Sequence, residues 1–88
     1  MDIMTNSKFN NSQMKQIRYG LEEDLDVSKY ADPKFNCLQM RQIRQGLEHG
    51  LDVSQYADPK FNDRQMWEIR LRLIKKTKRT FLKRILMR

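Results

Sequence analysis

Few residues of this 88-residue chain could make or break bonds, and they lie apart from one another. His49 is the only histidine and Cys37 the only cysteine. A nucleophilic thiol needs a neighbouring base or cation to hold it as thiolate. Cys37 falls in the first turn of a helix, with no histidine near it in sequence. A single cysteine excludes an internal disulfide and fits a reducing cytoplasm. Metal binding needs Cys, His or carboxylates at ligand spacing. The closest approach, Glu22-Glu23-Asp24, reads as a solvated helix end. Neither a glycine-rich phosphate loop nor a serine-elbow motif occurs. The expectation is a protein that is not an enzyme and uses no metal or cofactor.

What the chain offers instead is located charge. The net charge is +7, yet residues 1–68 hold nine Lys/Arg and all eleven acids, while residues 69–88 hold nine Lys/Arg and no acid. The two segments carry −2 and +9. Such asymmetry speaks to partners, because charge governs association more than fold. On a helix wound at about 100° per residue, Arg72, Lys75, Lys76, Arg79 and Lys83 fall within an arc of roughly 100°. A face designed only for solubility mixes both signs. An acid-free stripe suits phosphates or an acidic protein surface. These five residues are the expected contacts with nucleic acid or an acidic partner.

The same segment carries an apolar edge. Trp67 stands where Lys15 and Arg41 stand 52 and 26 residues earlier, Leu71 where Tyr19 and Gln45 stand, and Ile74 where Glu22 and Glu48 stand. Phe81, Leu82 and Ile85 extend it. Trp67, Leu71, Ile74, Phe81, Leu82 and Ile85 form the candidate protein interface. Either the helix end folds back over its own chain, or this edge meets another molecule, a second copy in a homodimer included.

These positions imply the elements that carry them. Residues 6–31 align with 32–57 at a period of 26, identical at 17 of 26 positions, and residues 58–73 match 32–47 at 10 of 16. Asn10, Asn36 and Asn62 recur as helix N-caps, where a side-chain oxygen accepts an otherwise unpaired backbone N–H. Gln13, Gln39 and Gln65 supply the return arm of a capping box, and Phe9, Phe35 and Phe61 with Met14, Met40 and Met66 have the spacing of a hydrophobic staple. Met40, Ile43 and Leu47 make one apolar stripe, repeated by Met14, Ile17 and Leu21 and by Met66, Ile69 and Leu73. Gly20 and Gly46 sit mid-helix, where glycine costs about 1 kcal/mol relative to alanine; close helix–helix approach would offset that.

The first helix is expected to stop near Asp24 and the second near Gly50, a residue suited to a left-handed C-terminus. A short helical turn starting at Ser54 and a turn at Asp58-Pro59-Lys60-Phe61 follow. Each unit is then a helix of about 13 residues, a short turn of helix and a proline-containing elbow. One unit cannot bury its stripe alone, so units stack. The third copy loses the stop: Lys76 replaces Asp24 and Gly50, and Thr77-Lys78-Arg79 replaces Leu-Asp-Val. One helix of about 26 residues, ~39 Å long, can run from Asn62 to the end, with a kink allowed near Thr77–Thr80.

Tyr30-Ala31-Asp32-Pro33-Lys34-Phe35 recurs as Tyr56-Ala57-Asp58-Pro59-Lys60-Phe61, beside Gln-Met-x-x-Ile-Arg-x-Gly-Leu-Glu and Leu-Asp-Val-Ser strings. Over residues 6–73 the chain resembles a family of tandem short-helix repeat proteins of bacteria, phages and mobile elements. The resemblance implies a fold and a setting, and no activity or site residue.

The expected fold is all-α: one domain, 1–88, of three stacked, solenoid-like 26-residue repeats (6–31, 32–57, 58–83) with a basic amphipathic extension, 69–88. The expected function is a cytoplasmic, non-catalytic binding module whose C-terminal helix engages nucleic acid or a nucleoprotein complex. One alternative is a phage or mobile-element inhibitor or adaptor, anti-CRISPR-like, that binds a host protein through the apolar edge. The other is attachment to an anionic membrane by an amphipathic helix. No apolar run reaches the ~18 residues of a spanning helix, and residues 1–5 lack the basic and apolar segments of a signal peptide.

Overall fold

The computed structural model describes residues 8–86, and the side chains of residues 8–78. The described chain is all-helical: α1 (Asn11–Glu22), a 3-10 turn at Val27–Lys29, α2 (Cys37–Glu48), a second 3-10 turn at Val53–Gln55, and α3 (Asp63–Leu86). The segments joining consecutive helices, each holding one 3-10 turn, are the first and second elbows.

The start of each helix follows from its capping residues. Asn10 Oδ1 accepts from the Gln13 N–H at 2.8 Å, and Gln13 Oε1 accepts from the Asn10 N–H at 2.8 Å. Asn36 with Gln39 and Asn62 with Gln65 repeat the exchange. Each box satisfies two backbone donors that a helix N-terminus leaves unpaired. Both predicted stops also hold. Asp24 lies at φ +57° and Gly50 at φ +68°, left-handed positions that turn the chain out of α1 and α2.

The elbows differ from expectation at their start. The cap of each 3-10 turn is Asp26 or Asp52, whose side chain accepts from the Ser28 or Ser54 N–H two residues on. Ser54 is the donor in that bond and not the cap. An aspartate bonding the backbone two residues ahead closes a turn without a helical nucleus.

Packing joins neighbours in order: α1 lies against α2, and α2 against α3. The core is Met14, Ile17, Tyr30, Phe35, Met40, Ile43, Val53, Tyr56 and Met66, with Phe9, Phe61, Leu47 and Leu73 at its margin. Helix stripes and elbow aromatics therefore share one interior, except that Leu21, expected in the stripe of α1, is 49% exposed. The buried Gln13 and Gln39 each do a second task. Gln13 Nε2 donates to the Phe35 carbonyl at 2.7 Å, and Gln39 Nε2 to the Phe61 carbonyl at 2.8 Å. Arg44 Nε donates to Gln16 Oε1 at 2.9 Å and Arg70 Nε to Gln42 Oε1 at 3.1 Å, so the three helices run parallel in one register.

Gly20 and Gly46 make room for something other than a helix. A Cβ at Gly20 would collide with the Tyr30 hydroxyl and Val27, and one at Gly46 with the Tyr56 hydroxyl and Val53. Each tyrosine passes over the missing side chain to donate its hydroxyl to a helix carbonyl four residues earlier: Tyr30 to Gln16 O at 2.6 Å, Tyr56 to Gln42 O at 2.7 Å. The close approach is helix to elbow. Expecting helix–helix contact there assigned the space to the wrong neighbour.

α3 is twice the length of α1 or α2, 24 residues against 12. It passes through Thr77 and Thr80 without interruption. A helix continuous to Leu86 does not double back over the chain, which removes the fold-back alternative for the apolar edge. Among the described residues, no helix is long and apolar enough to cross a membrane.

Candidate functional site: a basic groove on the last helix

The site begins with a substitution in the glycine position. Counting 26 residues on from Gly20 and Gly46 gives Arg72, and from Tyr30 and Tyr56 gives Leu82. An arginine fills the space that the two glycines leave for a tyrosine hydroxyl, so no third elbow can seat on α3. The side of α2 bearing Gln39, Gln42 and Gly46 faces the second elbow; the positions 26 residues on, Gln65, Glu68 and Arg72 of α3, are all exposed, as is Lys76 one turn further.

That side is polar and exposed. The predicted apolar edge, Trp67, Leu71 and Ile74, lies elsewhere on the helix. Those three lie on the outer side of α3, turned away from the elbows. Trp67 is 44% exposed, and Leu71 and Ile74 are partly buried. Phe81, Leu82 and Ile85 lie outside the described side chains.

Arg72, Lys75 and Lys76 converge. With Leu73 and with Gln55 from the second elbow they line an open groove of about 460 Å³ between that elbow and α3. Arg72, Lys75 and Lys76 are exposed. Their clustering requires both the helical spacing of α3 and the proximity of the elbow. Gln55 was not among the predicted contacts, since only tertiary packing brings it to α3. Arg79 and Lys83, the remaining predicted contacts, lie outside the described side chains.

Three cations and one amide in an open groove can bind an oxyanion. The guanidinium offers a planar fork of donors and each ammonium a compact charge. No acceptor-rich catalytic grouping accompanies them. Cys37 begins α2 as a partly buried free thiol, and His49 is exposed, its Nδ1 2.8 Å from the Gln45 carbonyl. Among the described residues no group of three or more His, Cys, Asp or Glu could hold a metal ion.

A second charged cluster lies between α1 and α2. Arg44, whose side chain is only 13% exposed, reaches Glu48 at 2.9 Å and Glu23 at 3.5 Å, and stands over the Tyr19 ring at 5.4 Å. A hydrogen bond with Glu48 raises the pKa of Glu23, with the Arg44 charge opposing. With its bond to Gln16, Arg44 ties α1 to α2. Compared with known proteins, the chain matches no family model, no curated protein and no solved structure.

Proposed function

We propose that this protein is a non-catalytic binding module that engages the phosphates of nucleic acid, free or within a nucleoprotein complex, through the acid-free segment of α3 that begins after Glu68. The observation that carries the reading is the convergence of Arg72, Lys75 and Lys76 with Gln55 on one groove. In the same reading the chain is a short solenoid of three 26-residue units, 6–31, 32–57 and 58–83, ended by cations where a further elbow would sit. The Tyr-Ala-Asp-Pro-Lys-Phe box supports a setting in bacteria, phages or mobile elements, and the single cysteine a reducing cytoplasm.

Neutralising a phosphate releases condensed counterions, so log K falls with log salt at about −0.9 per contact on duplex DNA. Three contacts give a slope of about −2.7, and five, with Arg79 and Lys83, about −4.5. A salt titration of binding to a random-sequence duplex measures it. A slope near zero removes the reading. Sequence preference is not expected, because few hydrogen-bonding groups other than Arg and Lys accompany the groove.

An inhibitor or adaptor role toward a host protein would use the opposite side, where Trp67 is exposed. Reversing the charges of Lys75 and Lys76 would spare that binding and abolish phosphate binding. Co-sedimentation with anionic vesicles is the control for membrane attachment.

A further inference from the structure

The outer side of the three helices carries a pattern that neither the core nor the groove explains. Positions 15, 19 and 22 of α1 are exposed, as are 41 and 48 of α2 and 67 of α3, while 45, 71 and 74, at the corresponding helical positions, are partly exposed. The matched Arg44–Gln16 and Arg70–Gln42 bonds put these helices in register, so the positions form rows across the molecule. Lys15, Arg41 and Trp67 make the first row, Tyr19, Gln45 and Leu71 the second, and Glu22, Glu48 and Ile74 the third.

Among the described residues, three of the four large exposed hydrophobic side chains belong to this side: Tyr19 at 41%, Leu38 at 49% and Trp67 at 44%. Lys15, Arg41 and Glu22 make no ion pair among the described residues, whereas Glu48 pairs with Arg44 of its own helix at 2.9 Å.

We infer that this side is a self-complementary interface for a second copy of the chain, docked with its helices antiparallel. A twofold axis lying in the face, across the helices near the Tyr19–Gln45–Leu71 row, carries the first row onto the third. Lys15 then meets Glu22 of the second copy, Arg41 meets its Glu48, and Trp67 meets its Ile74. Leu71 packs near its own counterpart beside the axis. Cations oppose acids on α1 and α2, and apolar groups oppose apolar groups on α3. No like charges are opposed in these pairs.

An isologous contact requires a patch complementary to its own rotated image, and this order of rows is one. A partner of uniform charge would be repelled by the first row or the third. Antiparallel docking also sends the two acid-free segments, 69–88, toward opposite ends, which keeps their +9 charges apart.

The area fits a weak pair. Helices of about 18 Å, spaced ~9 Å apart, present a face of roughly 500 Å² per copy. The total of roughly 1,000 Å² is at the low end of specific interfaces, where association is reversible. The groove at Gln55, Arg72, Lys75 and Lys76 lies on the elbow side and stays uncovered, so pairing and phosphate binding are separable.

The test is sedimentation equilibrium of the full chain from about 10 µM to 1 mM, with emission of the single tryptophan followed over the same range. The mass is expected to rise from 10.7 kDa toward that of a dimer, with Trp67 emission moving to shorter wavelength. Arg41→Glu should weaken pairing at least tenfold with helical ellipticity unchanged. Lys15→Glu should weaken it similarly, and adding Glu22→Lys should restore it. A monomer throughout overturns the proposal and leaves the face to a different protein. So does a Lys15→Glu/Glu22→Lys double variant that pairs no better than Lys15→Glu alone, or an assembly larger than a dimer.

Discussion

The Tyr56 hydroxyl donates to the Gln42 carbonyl at 2.7 Å across the bare α-carbon of Gly46. Tyr30, Gln16 and Gly20 repeat the relationship between α1 and the first elbow. Helix and elbow are joined at a point where the helix has no side chain.

Gly46→Ala should therefore destabilise the fold. Alanine is worth about 1 kcal/mol in helix propensity, but its Cβ collides with Tyr56 and Val53. Overpacking costs ~1–3 kcal/mol and loss of the hydrogen bond about 1 kcal/mol more. A net loss of roughly 1–3 kcal/mol is expected, measured by urea denaturation. A stabilised Gly46→Ala variant would contradict the arrangement.

Gly50 provides the contrast, since open space surrounds it and its φ is +68°. Gly50→Ala should lose only the ~1–2 kcal/mol of left-handed strain. Asp24 already occupies that conformation at φ +57°, so Asp24→Gly should gain up to about 1 kcal/mol. The pair of variants separates backbone strain from side-chain collision at two neighbouring glycines.

The two roles of Gln39 predict a difference from Gln65. Gln39 is buried and bonds both the Asn36 N–H and the Phe61 carbonyl, whereas Gln65 is exposed and completes only its capping box. Gln39→Ala leaves a carbonyl unpaired in the interior and should cost roughly 2–3 kcal/mol. Gln65→Ala should cost about 0.5–1 kcal/mol. Equal losses would mean that the reach to Phe61 contributes nothing.

Alkaline pH should open the elbows. Burial pushes the hydroxyls of Tyr30 and Tyr56 up to about 12 from the ordinary 10. A raised folded-state pKa means that the stabilisation is complete below pH 10, the unfolded value. It is lost as pH rises through about 12. Midpoints of thermal unfolding should fall across pH 10–12, and the fall should be smaller in Tyr30→Phe/Tyr56→Phe, which carries no group to ionise there.

The capping aspartates give the opposite slope at acid pH. Hydrogen bonds from Ser28 and Ser54 hold the carboxyls of Asp26 and Asp52 below the usual range. Their stabilisation is present above the unfolded pKa and disappears as pH falls through the folded one. Asp52→Asn should flatten the acid limb of the stability profile; an unchanged limb would show that the cap does not titrate with folding.

Local chemistry was legible in the residues themselves. The Asn–Gln boxes, the helix stops near Asp24 and Gly50, most of the apolar stripes and the long last helix all depend on bonds within about four residues. Spacing along the chain is therefore sufficient to reveal them. The basic stripe of Arg72, Lys75 and Lys76 was legible for the same reason, because helical winding alone aligns it.

What needed the tertiary structure is whatever joins residues 14 to 28 positions apart. Sequence assigned Gly46 to a neighbouring helix, but Tyr56 fills the space, because packing across the elbow decides which group arrives there. It gave α3 an apolar edge, but only the packed structure shows Trp67 exposed and Leu71 and Ile74 partly buried. Gln55 joins the basic groove only because the second elbow folds against α3. Periodicity describes a helix's faces, and only its neighbours determine which face is covered.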